Sequence, residues 1–229
     1  DWPARGTSRT RWQELESAMN TVLPTLGDLH MGLLTFPELT GDSEIENCLV
    51  ASALDVDVGL GTAGAILDRL DFADPRAGDT PTPQAFMTAE DTFGAMSSPR
   101  ERFVILATDG LPEPNCGSTV SATVAAIEDL RSSYGIDTFV LGIVGPDPDG
   151  DTSGIPDLQD ALNRMADAGG RARSGSIRYY EAGDGPALTS SLEAIIASAT
   201  DCSLSLSSTP PGPVEVYQDT LLVPDSHWT

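Results

Sequence analysis

The chain has 229 residues, enough for one α/β domain and a small appendage but few for two full domains. Its hydrophobic content of 40% is ordinary for a globular protein, and no apolar run approaches the roughly 18 residues that a membrane-spanning helix needs. Acidic residues outnumber basic ones by 35 to 12, the basic ones are all arginine, and the net charge is −23. This charge argues against nucleic acid as a partner and favours cations, although a lysine-poor or high-salt proteome would produce the same composition.

The first half of the chain begins with a predicted helix, because Thr10 and Gln13 have the spacing of a capping box. Apolar residues at steps of three and four give this helix one face, formed by Trp12, Leu15, Met19, Val22 and Leu26. The patterns that follow predict a strand at 29–36, an edge strand at 54–58, and helices at 62–72 and 83–96.

The second half opens on an unbroken apolar run, Phe103 to Leu106, which predicts a strand buried on both faces of a parallel sheet. The run ends in Ala107-Thr108-Asp109-Gly110. Helical and strand patterns then alternate, with helices around 120–130, 158–165 and 186–199 and strands at 138–144 and 177–181. This alternation predicts an α/β fold, a mostly parallel sheet with helices on both faces.

The last residues have a different pattern. Short alternating apolar runs are separated by the segment Thr209-Pro210-Pro211-Gly212-Pro213. We therefore assign residues 1–200 to the α/β domain and 201–229 to a β-hairpin-like extension, or to the start of a following β-module.

Two short segments resemble the von Willebrand factor type A family. They are Gly78-Asp79-Thr80-Pro81-Thr82-Pro83, ahead of a helix, and Ala107-Thr108-Asp109-Gly110, after a buried strand. The resemblance covers about residues 8–200 and implies a doubly wound α/β domain with a metal-ion-dependent adhesion site. By motif match, Thr80 is the threonine of that site and Asp109 is its aspartate.

The resemblance also implies a function. The domain would bind one divalent cation, Mg²⁺ or Mn²⁺ with Ca²⁺ as a further option, at the carboxyl edge of the sheet. The cation would take a carboxylate from a protein or surface-polymer partner. Such a chain is an adhesion or binding module of the extracellular space or cell surface, as in bacterial cell-surface relatives, and not an enzyme.

One part of the family pattern is missing. The family places an Asp-x-Ser-x-Ser loop after an apolar strand ahead of the first helix, and the residues ahead of the first predicted helix contain neither feature. We expect preceding residues to supply both, since the absence of a central strand would expose the apolar faces of its neighbours. The alternative is a structural scaffold whose metal site is degenerate.

Following the direction of successive elements through this topology brings the Thr80 and Asp109 loops to the same edge of the sheet. It brings Cys48 and Cys116 to that edge as well, so we predict that these two cysteines form a disulfide, as in proteins of oxidising compartments. Cys202 is then free or paired outside the chain.

Two other patterns compete for a functional interpretation. Gly59-Leu60-Gly61-Thr62-Ala63-Gly64 matches a dinucleotide-binding fingerprint, but the acidic strand end expected about 20 residues later is a turn-forming segment, which favours a plain strand-to-helix turn. Asp147, Asp149 and Asp151 alternate as in a calcium loop but lack EF-hand spacing, so a second Ca²⁺ site and a solvated loop both remain open. The sequence contains neither a nucleophile elbow nor a histidine relay, so these motifs give no support for an enzyme.

Overall fold

The computed structural model describes residues 9–38, 48–72, 79–97, 100–145 and 150–200, together with the backbone of 216–218 and 221–223. The chain divides into two compact units, Asp1–Ala199 and Thr200–Thr229. The described part of the first unit contains six α-helices: α1 (Arg11–Val22), α2 (Ala63–Phe72), α3 (Thr82–Ala95), α4 (Val120–Tyr134), α5 (Ile155–Gly169) and α6 (Gly185–Ala199). Thr10 caps α1 through the predicted capping box with Gln13.

The strands of the first unit form two separate sheets. They are β1 (His30–Leu33), β2 (Val56–Leu60), β3 (Phe103–Thr108), β4 (Asp137–Ile143) and β5 (Tyr180–Ala182). β1 and β2 pair antiparallel as a two-stranded sheet, whereas β3, β4 and β5 form a parallel sheet in that order. The fold is therefore mixed α/β with a small parallel sheet, and each predicted element of this unit is present, with strands 29–36 and 177–181 shorter than expected.

Strand β4 is the centre of the first unit because both of its faces are buried. Successive side chains of a strand point to opposite sides of its sheet. Val140 packs with residues of α3, α4 and α5 in one apolar cluster, and Phe139 and Leu141 pack with residues of α1 and α6 in a second. Helices therefore contribute to the burial of β4 from both sides.

Strand β3 is less buried than its apolar sequence predicts. Leu106 and Thr108 are buried, but the three residues from Phe103 to Ile105 are only half-buried. Within the described ranges β3 pairs with β4 alone, so its second edge has no neighbouring strand. The expectation of a strand buried on both faces is confirmed only in part: Val104 and Leu106 pack in one apolar cluster and Phe103 and Ile105 against the other, but residues 103–105 stay half-buried.

The buried face of α1 also differs from the predicted one. The residues of α1 that are fully buried are Arg11, Glu14, Ala18 and Val22, and the predicted apolar residues Trp12, Leu15 and Met19 are half-buried. The first two members of the buried stripe are charged, so a pattern built from apolar residues alone missed the amino-terminal half of this face.

Two glycines within helices should respond oppositely to replacement by alanine. A Cβ on Gly169 would overlap the carbonyl oxygen of Thr138 in β4, whereas a Cβ on Gly64 in α2 meets nothing within 4 Å. We expect Gly169→Ala to lower the free energy of unfolding by about 1–3 kcal/mol through overpacking. Gly64→Ala should raise it by about 0.4–1 kcal/mol, because alanine has fewer unfolded conformations to lose. Urea denaturation of both variants checks the signs; a Gly169→Ala protein as stable as wild type would contradict this packing.

The second unit, considered by itself, contains one antiparallel hairpin. Strand β6 (Val216–Gln218) pairs with β7 (Leu221–Val223), with Tyr217 opposite Leu222. Residues 201–215, which include Cys202 and the proline-rich segment of the sequence analysis, lie outside the described residues.

Candidate metal site

The carboxyl end of β3 carries Asp109 on a short turn. The Thr108 hydroxyl donates a hydrogen bond to the Gly110 carbonyl at 3.2 Å and lies 3.4 Å from the Gly110 amide, which fixes the turn directly after the strand. The Asp109 side chain is 46% exposed. A carboxylate at this position is open to solvent and to ligands.

The Thr80 loop lies against the Asp109 turn. The Thr80 carbonyl accepts hydrogen bonds from the Thr82 amide at 2.9 Å and from the Glu113 amide at 3.2 Å. A Cβ added to Gly110 would lie 3.8 Å from the Thr80 hydroxyl oxygen. The structure thus brings the hydroxyl of Thr80 next to the residue that follows Asp109.

An arginine that the sequence analysis did not single out occupies the same edge. Arg11 Nη1 lies 3.4 Å from Asp109 Oδ2 and 3.3 Å from the Asp109 carbonyl oxygen, and Nη2 donates to the Gly145 carbonyl at 2.8 Å. The Arg11 side chain is 7% exposed. Its guanidinium therefore bridges the loops that follow β3 and β4, and its positive charge lies beside the Asp109 carboxylate.

A second buried charge lies on the same helix. Glu14 is 5% exposed, and its carboxylate lies against Gly185, the first residue of α6. The amino terminus of a helix carries a partial positive charge, which stabilises an anion there. The stripe of Arg11, Glu14, Ala18 and Val22 at helical spacing is the one signal in the sequence that could have predicted both buried charges.

Cys48 and Cys116 form a disulfide, the pair that the direction of the elements predicts; their Cα atoms are 5.1 Å apart. The Gln84 side chain of α3 donates to the Cys116 carbonyl at 2.9 Å and accepts from the Ser118 hydroxyl at 2.9 Å. Together with the bond from Glu113 to Thr80, these contacts tie the segment after β3 to the beginning of α3.

Asp79 lies beside the disulfide. Its Oδ2 atom is 3.4 Å from Cys48 Sγ, and the closest ligand atoms of Cys48, Asp79 and Cys116 all lie within 4.8 Å of one another. Because the sulfur of a disulfide carries no hydrogen, the contact between Cys48 and Asp79 is not a hydrogen bond in this oxidised state. The three residues are each half-buried.

The aspartate loop after β4 is described only at its end. Asp147 and Asp149 lie outside the described residues. The Asp151 carboxylate accepts hydrogen bonds from the Ser153 amide and hydroxyl, each at 2.8 Å. These bonds hold the pKa of Asp151 below its usual range and engage this carboxylate in the turn ahead of α5. The second Ca²⁺ site stays a prediction.

The glycine-rich segment forms a compact turn from β2 into α2. Gly61 has a φ of 73°, which favours glycine, and the Thr62 hydroxyl contacts the Met31 and Gly59 carbonyls at 2.7 and 3.0 Å. The strand ahead of this turn pairs antiparallel with β1. A dinucleotide-binding fingerprint belongs to a parallel βαβ unit, which this pairing does not provide.

Comparisons of the chain with protein-family models, with curated proteins and with solved structures found no match. Among the helices that the structure describes, none is both long enough and apolar enough to cross a membrane.

Proposed function

We propose that the chain is a binding module of the von Willebrand factor type A kind, holding one divalent cation at Thr80 and Asp109. The observation that supports this most is the proximity of the Thr80 hydroxyl to the Asp109 turn at the carboxyl end of β3. Ligand sites of open α/β sheets lie at this edge. Hydroxyl and carboxylate oxygens are hard donors that suit Mg²⁺ or Mn²⁺, with Ca²⁺ as a further option.

The proposed fold is a doubly wound sheet, wider than the three parallel strands described above. Two features support it: apolar clusters on both sides of β4, and a second edge of β3 that no described strand pairs. A parallel strand at that edge would complete the burial of β3. In the family that this chain resembles, such a strand leads into an Asp-x-Ser-x-Ser loop ahead of the first helix, and the residues ahead of α1 contain no such motif.

The role of the cation in this proposal is to bind a carboxylate of a protein or surface-polymer partner. A small divalent ion held partly by neutral hydroxyls remains electrophilic enough to accept such an anion. This role needs no catalytic group, so we propose a binding protein and not an enzyme. The disulfide supports a place outside the cell or at its surface, because such bonds persist in oxidising compartments.

The experiment that tests the cation site is calorimetry with Mg²⁺ and Mn²⁺. We expect Asp109→Ala to weaken binding by at least about tenfold. Loss of a residue that only supports a metal ligand already costs this much affinity, and Asp109 is proposed as a direct ligand. Thr80→Ala should weaken it less, because it removes a neutral oxygen. Asp57→Ala, which removes an exposed carboxylate on β2, is the matched control and should leave the affinity unchanged.

These titrations are carried out on the 229-residue chain and on a version extended at its amino end by a strand ending in Asp-x-Ser-x-Ser. The extended version should bind more tightly, since serine hydroxyls complete the shell. Equal affinity in wild type and Asp109→Ala, in both versions, would refute the site.

A structural scaffold is the second candidate function. The ion pair between Arg11 and Asp109 favours it, because the guanidinium already neutralises the carboxylate. In a scaffold, Thr80 and Asp109 would only hold the loops in place, and neither version of the chain would bind a divalent cation.

A further inference from the structure

Beside the proposed cation site lies a group of side chains with a different chemistry. Cys48, Cys116 and Asp79 offer two sulfur atoms and one carboxylate within a sphere small enough for one ion. The cysteines come from two distant segments that the disulfide joins, and Asp79 precedes the Thr80 loop. Sulfur ligands select borderline and soft cations, whereas Thr80 and Asp109 offer only oxygen.

We propose that Cys48, Cys116 and Asp79 form a redox-controlled zinc site: the oxidised pair is a disulfide, and the reduced pair binds Zn²⁺ together with the Asp79 carboxylate. This site does not depend on the proposed function, because it shares no ligand with Thr80 and Asp109.

The spacing of Asp79 suits a tetrahedral ion. With Zn–S bonds of about 2.3 Å and Zn–O bonds of about 2.0 Å, a tetrahedral site holds its sulfur and oxygen ligands about 3.5 Å apart. Asp79 Oδ2 lies 3.4 Å from Cys48 Sγ. The two sulfur atoms of a zinc dithiolate lie roughly 3.8 Å apart, so in this proposal the cysteine side chains rotate apart after reduction.

Reduction of the disulfide between Cys48 and Cys116 requires a reductant, and a small dithiol supplies it. The dithiol gives two electrons and two protons to the disulfide, which becomes two thiols, while the dithiol is oxidised to its own disulfide. Zn²⁺ then displaces both protons and binds two thiolates and the Asp79 carboxylate. These three ligands leave a fourth position for water, as in open zinc sites.

The test uses the 229-residue chain with Cys202→Ser, so that thiol counts report the pair alone. The protein is reduced, freed of reductant without oxygen, and titrated with Zn²⁺ against a chelating indicator, and with Co²⁺ for its thiolate charge-transfer absorption. We expect the reduced protein to bind one Zn²⁺ and the oxidised protein none at this site. Asp79→Asn should lower the affinity of the reduced protein for Zn²⁺ by about 10–100-fold, because the loss of a residue that only supports a metal ligand already has an effect of this size. Asp57→Asn is the matched control and should bind as the parent does.

Circular dichroism separates loss of binding from loss of folding. Zn²⁺ should raise the thermal midpoint of the reduced protein and should raise that of reduced Asp79→Asn less, because binding energy adds to folding energy. Three results would overturn the proposal: reduced protein with two free thiols that binds no Zn²⁺, Asp79→Asn that binds as tightly as its parent, or reduced protein that stays unfolded at saturating Zn²⁺. None of them bears on Mg²⁺ binding at Asp109.

Discussion

Replacing Cys48 and Cys116 together by serine should lower the free energy of unfolding by about 4 kcal/mol. In the chain-entropy model the stabilisation by a disulfide grows with the length of the loop that it closes, and about 4 kcal/mol lies between the values for loops of 15 and 100 residues. The disulfide spans 68 residues of sequence, so its loss releases a long loop of the unfolded chain. Urea denaturation under non-reducing conditions measures the change, and the double variant should unfold at a clearly lower urea concentration.

Cys202→Ser is the control for the double cysteine variant, because it removes a cysteine that is not part of this pair. It should unfold at the same urea concentration as the parent protein. Non-reducing peptide mapping that recovers Cys48 and Cys116 as free thiols, or a double variant as stable as wild type, would contradict the assignment of this bond.

Arg11→Gln should raise the affinity for Mn²⁺ and Mg²⁺ by about 10–100-fold. Two unit charges 4 Å apart near a protein surface interact by about 4 kcal/mol, and partial exposure reduces this to the 1.4–2.7 kcal/mol that such a change in affinity represents. The Arg11 guanidinium lies 3.4 Å from the Asp109 carboxylate and so competes with a cation for it. Glutamine keeps a hydrogen-bond donor near the same carbonyls but carries no charge.

Arg9→Gln is the matched control for the charge effect, since Arg9 precedes the same helix but its side chain is 48% exposed and contacts Gln13 and Glu14. It should leave the affinity unchanged. Arg11→Gln should also lose about 1–3 kcal/mol of stability as buried acceptors lose a charged partner, so titrations are carried out well below the unfolding transition. A folded Arg11→Gln protein with unchanged or weaker cation binding would show that Arg11 does not compete for Asp109.

Much of the fold follows from local patterns. Capping at Thr10, the helix–strand alternation after residue 103 and the turn at Gly61 depend on neighbouring residues, and the structure contains them. The burial of β3 could not be predicted in the same way. Its apolar run predicts burial on both faces, but the exposure of a strand also depends on which elements surround it, and a local run does not show these.

The residues of the candidate sites could be predicted only in part from the sequence, for a similar reason. Thr80 and Asp109 follow from motif resemblance, and the cysteine pair follows from the direction of the elements. The sequence does not indicate a role for Arg11 or a ligand role for Asp79, because their contacts with Asp109 and Cys48 join residues that are distant in sequence. A buried charge interrupts the apolar periodicity by which a helix face is identified.

The most direct test of the proposed cation site is nuclear magnetic resonance of the isotopically labelled 229-residue chain during titration with Mn²⁺. The unpaired electrons of Mn²⁺ broaden the signals of nearby amides even when binding is weak. We predict that the amides of Thr80, Thr82, Asp109 and Gly110 broaden at the lowest Mn²⁺ concentrations and recover on addition of a chelator. Broadening spread evenly over the acidic surface, or centred on the Asp151 loop while these four amides stay sharp, would contradict the account.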